Sequence, residues 1–216
     1  VPILECDFMG LDYFKMIMKD ANVIRALKNT FIFAGISIIL TPLPMIFAIL
    51  LNEIKSGPVR KFVQTFTTLP NFISWVIIFS LAFSLFSTDG LLTSVFTKLT
   101  GAEQAQSVLS SKGSVYWFQT FLAQWKTLGW NSIIYLSALS GIDQELYDAA
   151  KVDGANRWQQ CLHVTLPGIA PTIVIMLILK MGKIFNVGYE RVMLLYNPAI
   201  YNTADVINTY VYRKGM

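Results

Sequence analysis

Three runs of the chain, Asn29 to Asn52, Phe62 to Thr88 and Trp158 to Leu179, contain no Asp, Glu, Lys or Arg. Each exceeds the roughly 20 residues a helix needs to cross a hydrocarbon core. A fourth run, Gly113 to Ile142, is broken only by Lys126. The pattern predicts membrane-spanning helices over about 31–51, 69–86, 115–139 and 168–186. The first carries Thr41-Pro42-Leu43-Pro44, and the missing proline N–H groups predict a kink there. The second opens on LPNFISW and closes at Ser87-Thr88-Asp89-Gly90, a turn. The third holds Gly129 near its middle, with Trp117, Trp125 and Trp130 along it. Residues 11–28 alternate apolar and charged positions near helical spacing, which suits an interfacial amphipathic segment ahead of the first span. Leu91 to Ser114 reads as a mixed polar connector with a short helix, and a loop containing Tyr196-Asn197-Pro198 follows the last span. No repeat or low-complexity tract divides the chain, so residues 1–216 read as one transmembrane domain.

One polar stretch interrupts this pattern: ELYDAAKVDGANRWQQCLHVTLP at 145–167. Asp143 is a good N-cap, and Gln144, Glu145 and Asp148 put polar and negative groups in the first turns, where the helix dipole favours them. Gly154 suits a left-handed stop after that helix. A second helix follows, with Trp158, Cys161, Leu162 and Thr165 at i, i+3, i+4 and i+7, and Pro167 is expected to end it. The prediction is two short helices over about 143–166, projecting from the membrane between the third and fourth spans. Trp158 and Leu162 are expected to anchor them against the chain's own spans.

Composition narrows the class. The 216 residues are 54% hydrophobic and 14% charged, against roughly 25% charged in soluble domains, and mean hydropathy is +0.53. A soluble helical core would seldom need several such runs. The cluster Lys55, Arg60 and Lys61 argues for a topology with loops 52–68 and 141–167 in the cytoplasm. Cys6 and Cys161 then lie on opposite sides of the membrane, and no disulfide follows. His163 and Cys161, two residues apart, point to different helix faces, so neither a metal site nor a catalytic one is indicated. An intramembrane enzyme would need facing acids or a Ser–His pair, and the spans contain no acids. A net charge of +4 spread along the chain does not indicate a nucleic-acid surface. Val1 lacks a signal-like beginning, and the chain reads as an interior piece of a longer protein.

Asp148-Ala149-Ala150, Gly154 and the closing Leu166-Pro167 resemble the EAA motif of inner-membrane subunits of binding-protein-dependent ABC importers, with Asp148 at the usual glutamate. The strings LKNTFIF, LLNEI, LPNFISWVI, GWNSIIYLSALSGIDQELYDAAKVDGANRWQQ and FNVGYERVMLLYNPAIYNTADVINTYVYRKG are similar to the oligosaccharide and polysaccharide permeases of the carbohydrate-uptake group. The resemblance implies an all-α, polytopic membrane helix bundle of the type I ABC importer permease fold, in the bacterial plasma (inner) membrane and surrounded by lipid. A full member has a further span at each end, so this chain would lack the first and the last.

The resemblance also implies a function. With a second permease subunit, the chain would form the path for ATP-driven import of oligosaccharides delivered by an extracellular solute-binding protein. ATP and Mg would be bound by two separate ABC ATPase subunits, leaving no cofactor on this chain and no enzymatic role, in keeping with the lack of a P-loop motif. Permeases for amino acids or phosphate share the motif, and a membrane scaffold without transport is the alternative from another class.

In that family the motif forms the coupling helix that docks into the ATPase. Ala149, Ala150, Gly154 and Ala155 would permit tight contact, with Asp148 and Arg157 as charge partners at the groove rim. A sugar in transit needs hydrogen-bond partners and flat apolar surfaces. Asn71 and Trp75, Thr127, Trp130 and Asn131, and Asn186 and Tyr189 supply both, and the resemblance implies that all of these but Asn131 fall near the positions at which the related maltose permease touches sugar. Lys126, Lys180 and Lys183 each cost roughly 2.5 to 3.5 kcal/mol at mid-membrane. Two readings stay open for them: cations facing the pathway and favouring an acidic sugar, or snorkelling and pairing, for instance Lys183 with Glu190.

Overall fold

A computed structural model describes residues 10–100, 109, 113–184, 186, 188–195 and 200–215, apart from the side chains of residues 13, 96, 97, 99, 100, 189 and 201. Cys6 and Tyr196-Asn197-Pro198 lie outside the described residues. All regular structure among the described residues is helical. The N-terminal half runs α1 (Asp12–Lys19), α2 (Ala21–Ile39), α3 (Pro42–Asn52), α4 (Gly57–Thr68), a 3-10 turn (Leu69–Phe72), α5 (Trp75–Phe86) and α6 (Leu91–Thr100). The remainder runs α7 (Val115–Ser140), α8 (Gln144–Val152), α9 (Arg157–Gln160), a π turn (Cys161–Thr165), α10 (Leu166–Gly182), α11 (Tyr189–Leu194), α12 (Tyr201–Ala204) and α13 (Ile207–Gly215).

Among the described residues, three stretches are long and apolar enough to cross a membrane: Ala21–Asn52, Trp75–Val95 and Arg157–Gly182. The helix over the third expected span, α7, has the length at 26 residues, but Gln119, Gln124, Lys126 and Asn131 lower its hydropathy. Its position explains the difference. It packs against α2, α3, α4, α10, α12 and the 3-10 turn, and polar groups in a membrane bundle belong on such inward faces. Ala48, Leu51, Tyr135, Leu136, Leu139 and Ile169 make the apolar seam joining α3, α7 and α10. At Gly129 the backbone of α4 comes so close that a Cβ would stand 2.3 Å from the Thr67 carbonyl oxygen.

The prolines act in two ways. The first span breaks between α2 and α3 at Leu40-Thr41, where Pro42 starts the new helix without needing an N–H. Pro167 was expected to end the second hairpin helix, but the chain stays helical from Arg157 to Gly182. The π turn just before it accounts for this. Leu166 N–H reaches the Cys161 carbonyl, five residues back, and the wider turn accommodates a residue with no hydrogen to give.

The second span is not continuous from Leu69. Ile73 is extended after the 3-10 turn, and α5 restarts at Trp75 with the Ser74 side chain accepting from Ile77 N–H. Such a break frees carbonyls where water is scarce. Lys126 supplies the donors. Its ammonium binds the carbonyls of Pro70 at 3.2 Å, Asn71 at 3.0 Å and Ile73, and lies 5.6 Å from the Trp75 ring centre. Elsewhere, Asn29 holds the C-terminal segment to α2, donating to the carbonyls of Asn202 at 3.0 Å and Asp205 at 2.8 Å and accepting from the Tyr116 hydroxyl at 2.7 Å.

Candidate functional site

Two regions hold the residues singled out by sequence. The first is the hairpin of α8 and α9. The Asp143 carboxylate accepts from Glu145 N–H at 3.0 Å and caps α8. At the other end Gly154 has φ +79. Its N–H donates to the Lys151 carbonyl at 3.0 Å, and Ala155 N–H donates to Ala150 at 2.9 Å. This is a Schellman stop, which a left-handed glycine makes possible. A capping box then starts α9: Gln159 N–H donates to Asn156 Oδ1 at 2.9 Å, and Asn156 N–H to Gln159 Oε1 at 2.8 Å.

Asp148, Ala149, Gly154 and Arg157 are exposed, and Ala150 and Ala155 half-buried, on this protruding hairpin. Each charge already has a partner on its own chain. Lys151 donates to Asp148 at 2.8 Å and holds that carboxyl below its ordinary pKa. Arg157 reaches Glu53, just past α3, at 2.8 Å. The expected anchors are not where the periodicity put them: Trp158 is 70% and Leu162 41% exposed. The hairpin is held instead by Tyr147, whose hydroxyl lies 3.0 Å from Thr165 Oγ1, by the Ile142 side chain against Gly168 and by the Arg157–Glu53 pair. Its free surface combines Leu146, Val152, Trp158 and Leu162 with an open notch of about 340 Å³ lined by Ala150, Gly154, Ala155 and His163 among others. No cluster of metal-binding side chains occurs among the described residues.

The second region is a groove between α2, α3, α7 and α10. Two adjoining cavities of about 250 and 390 Å³ share Ser37, Ala123, Gln124, Lys180 and Lys183. Thr127 and Asn131 line the larger and Asn186 the smaller. Asn186 Oδ1 also accepts from Asn208, at 3.4 Å.

Asn71, Trp75 and Trp130, also expected in the pathway, are not among the residues lining the two cavities. Trp130 stands edge-on to Phe72, ring centres 5.8 Å apart. The Asn71 carbonyl and the Trp75 ring both serve Lys126. The side chain of Tyr189 is outside the described residues. Of the three lysines, Lys126 is thus committed to backbone carbonyls, while Lys180 and Lys183 face the groove. Lys183 and Glu190 form no ion pair among the described residues.

Gln124 and Arg191 were missed by sequence reasoning. Gln124 lines both cavities and donates to the Leu40 carbonyl at 2.8 Å, at the break between α2 and α3. The signal for it was present, since Gln124, Thr127 and Asn131 form a polar stripe at i, i+3 and i+7. Arg191 follows the last apolar run, beyond the positions a search of the spans would weigh.

A family model described as "Binding-protein-dependent transport system inner membrane component" matches residues 30–197. Protein LplB of Bacillus subtilis (strain 168) is 37% identical over 217 residues, covering 98% of this chain and 67% of that protein. The polygalacturonan/rhamnogalacturonan transport system permease protein YteP of the same organism is 38% identical over 218 residues, covering 99% and 67%. Among solved structures, a bacterial ABC transporter involved in the import of the acidic polysaccharide alginate superposes with a TM-score of 0.92 at 37% identity, covering 99% of this chain and 74% of that one. The same kind of transporter in complex with an alginate pentasaccharide-bound periplasmic protein gives 0.91 at 39%, covering 96% and 72%. With its hairpin, its groove and these likenesses, the chain belongs to the binding-protein-dependent transport system inner membrane components, the permease subunits of ABC importers.

Proposed function

We propose that this chain forms, with a second permease subunit, the membrane path by which oligosaccharides handed over by an extracellular solute-binding protein are imported. Two ATP-binding ABC subunits grip the hairpin and supply the energy, and ATP with its Mg is bound and hydrolysed there. Relatives named for polygalacturonan and rhamnogalacturonan, and for arabinooligosaccharides, support the substrate class.

One observation carries the mechanism: the second helix of the hairpin and a wall of the groove are one continuous piece. Residues Arg157–Gly182 run without interruption from α9 through the π turn into α10, and α10 brings Lys180 and Met176 to the groove. A displacement of α8 and α9 by closing ATPases therefore moves the groove wall directly. The Arg157–Glu53 pair passes it to the end of α3, whose Pro44 also lines the groove. Rocking of packed helices of this kind alternates the side to which a central site opens.

Gly154→Pro tests the coupling. Proline fixes φ near −65° and has no N–H, whereas Gly154 has φ +79 and donates to Lys151. In vesicles holding the complete transporter, ATP-driven oligosaccharide uptake is expected to fall at least about tenfold, equivalent to about 1.4 kcal/mol. The ATPases should either lose substrate stimulation or fail to co-purify. Normal coupled transport by this variant overturns the proposal.

A further inference from the structure

We infer that Lys180, Lys183 and Arg191 form a carboxylate-reading subsite of the groove, selecting oligosaccharides that contain uronic acid units over neutral ones. The inference rests on the import function proposed above and names the class of sugar that the site takes. All three cations line the smaller cavity, about 250 Å³, together with Gln124, Thr120 and Asn186. No Asp or Glu lines either cavity among the described residues.

The chain treats its other cations in this region differently. Lys126 is bound by three carbonyls, and Arg213 pairs at 2.9 Å with the fully buried Asp205. For Lys180, Lys183 and Arg191 there is no hydrogen-bonding or ion-pair partner among the described residues. Arg191 is the sharpest case: it is only 8% exposed, its Nε is unpartnered, and its one contact of note is the Phe33 ring, 5.7 Å from the guanidinium carbon.

Of the three, Arg191 is buried, Lys180 half-buried and Lys183 exposed at the groove; a buried cation left without an anion is costly, and where one persists in a membrane bundle it faces a pathway or a ligand. Here the missing anion has to enter the groove. Its chemistry follows from the lining. A guanidinium presents a fork that matches a carboxylate, while Gln124, Asn186 and Thr120 offer the mixed donors and acceptors that sugar hydroxyls require. The adjoining cavity continues with Thr127, Asn131 and Thr41, so a chain of sugar units with a charged group at one end of the groove fits better than a small inorganic anion.

The test uses the complete transporter in vesicles made with neutral or with anionic lipid, and measures competing uptake of a uronate trimer and a neutral trimer of equal length. The unaltered protein is expected to favour the uronate on the order of tenfold, or about 1.4 kcal/mol of discrimination, in both lipids. In Lys180→Gln/Lys183→Gln the ratio should fall towards one, chiefly through a raised KM for the uronate. Arg191→Lys, which keeps the charge but loses the fork, should lower it less than Arg191→Gln. Equal uptake of the two trimers by the unaltered protein, or a ratio the lysine variant does not change, overturns the subsite. A preference seen in neutral lipid but lost in anionic lipid assigns the cations to headgroups, which would neutralise them, and overturns it too. ATP-driven uptake of neither trimer instead overturns the import function on which the subsite rests.

Discussion

The hairpin and the groove are built in opposite ways. Every bond that shapes the hairpin's two turns, from Asp143 to Glu145, Gly154 to Lys151 and Asn156 to Gln159, spans five residues or fewer. The groove draws on Ser37, Gln124, Lys180 and Arg191, which no local rule brings together. A region closed by local bonds keeps its shape while it moves, as a part gripped by another subunit must. A region assembled from distant helices changes shape when they shift, as a path that opens to alternate sides must.

Three substitutions would sharpen or break that contrast, from the largest expected effect to the smallest. Lys126→Met removes the donor to three carbonyls, and about 3 kcal/mol of bundle stability should go with it, since charged donors leave costly orphans. Thermal aggregation of the detergent-purified transporter measures this. Unchanged stability with altered sugar preference would return Lys126 to the pathway. Gly129→Ala forces a methyl against the α4 backbone, where the space is 2.3 Å, and overpacking there should cost about 2 kcal/mol. Hydrogen exchange is expected to rise across α4 and α7 and to stay unchanged over 144–160. Equal loosening over 144–160 would show that the hairpin's own shape depends on the bundle that holds it. Asn156→Ala deletes the capping box and should cost about 1 kcal/mol, confined to faster exchange over 157–160 with little change in uptake.

Sequence legibility follows the same division. The N-cap at Asp143, the left-handed stop at Gly154 and the kink at Pro42 depend on neighbours in the chain, and all three stand where the residues predicted them. Trp158 and Leu162 depart from their expected role for a physical reason: apolar spacing says that a face is to be covered but not by which chain, and the described residues leave Trp158 largely and Leu162 partly exposed. Asn71, Trp75 and Trp130 have the right chemistry for a sugar. The extended residue Ile73 breaks the segment that carries Asn71 and Trp75, and Lys126 binds the main-chain carbonyl of Asn71 and lies beside the Trp75 ring. Thr127, Asn131 and Asn186 do line the groove, and the stripe on α7 was legible as helical spacing. Arg191 was not, because nothing local distinguishes an arginine in a six-residue helix from a surface one.

The π turn at Cys161–Thr165 joins the two regions. A π turn holds about one residue more than an α turn, and each helical residue advances the phase by about 100°. α9 and α10 are therefore continuous but clocked differently. On the proposed function, the face offered to another subunit is decoupled from the face offered to the cargo, and insertion or deletion of one residue in this turn would re-aim one without recutting the other.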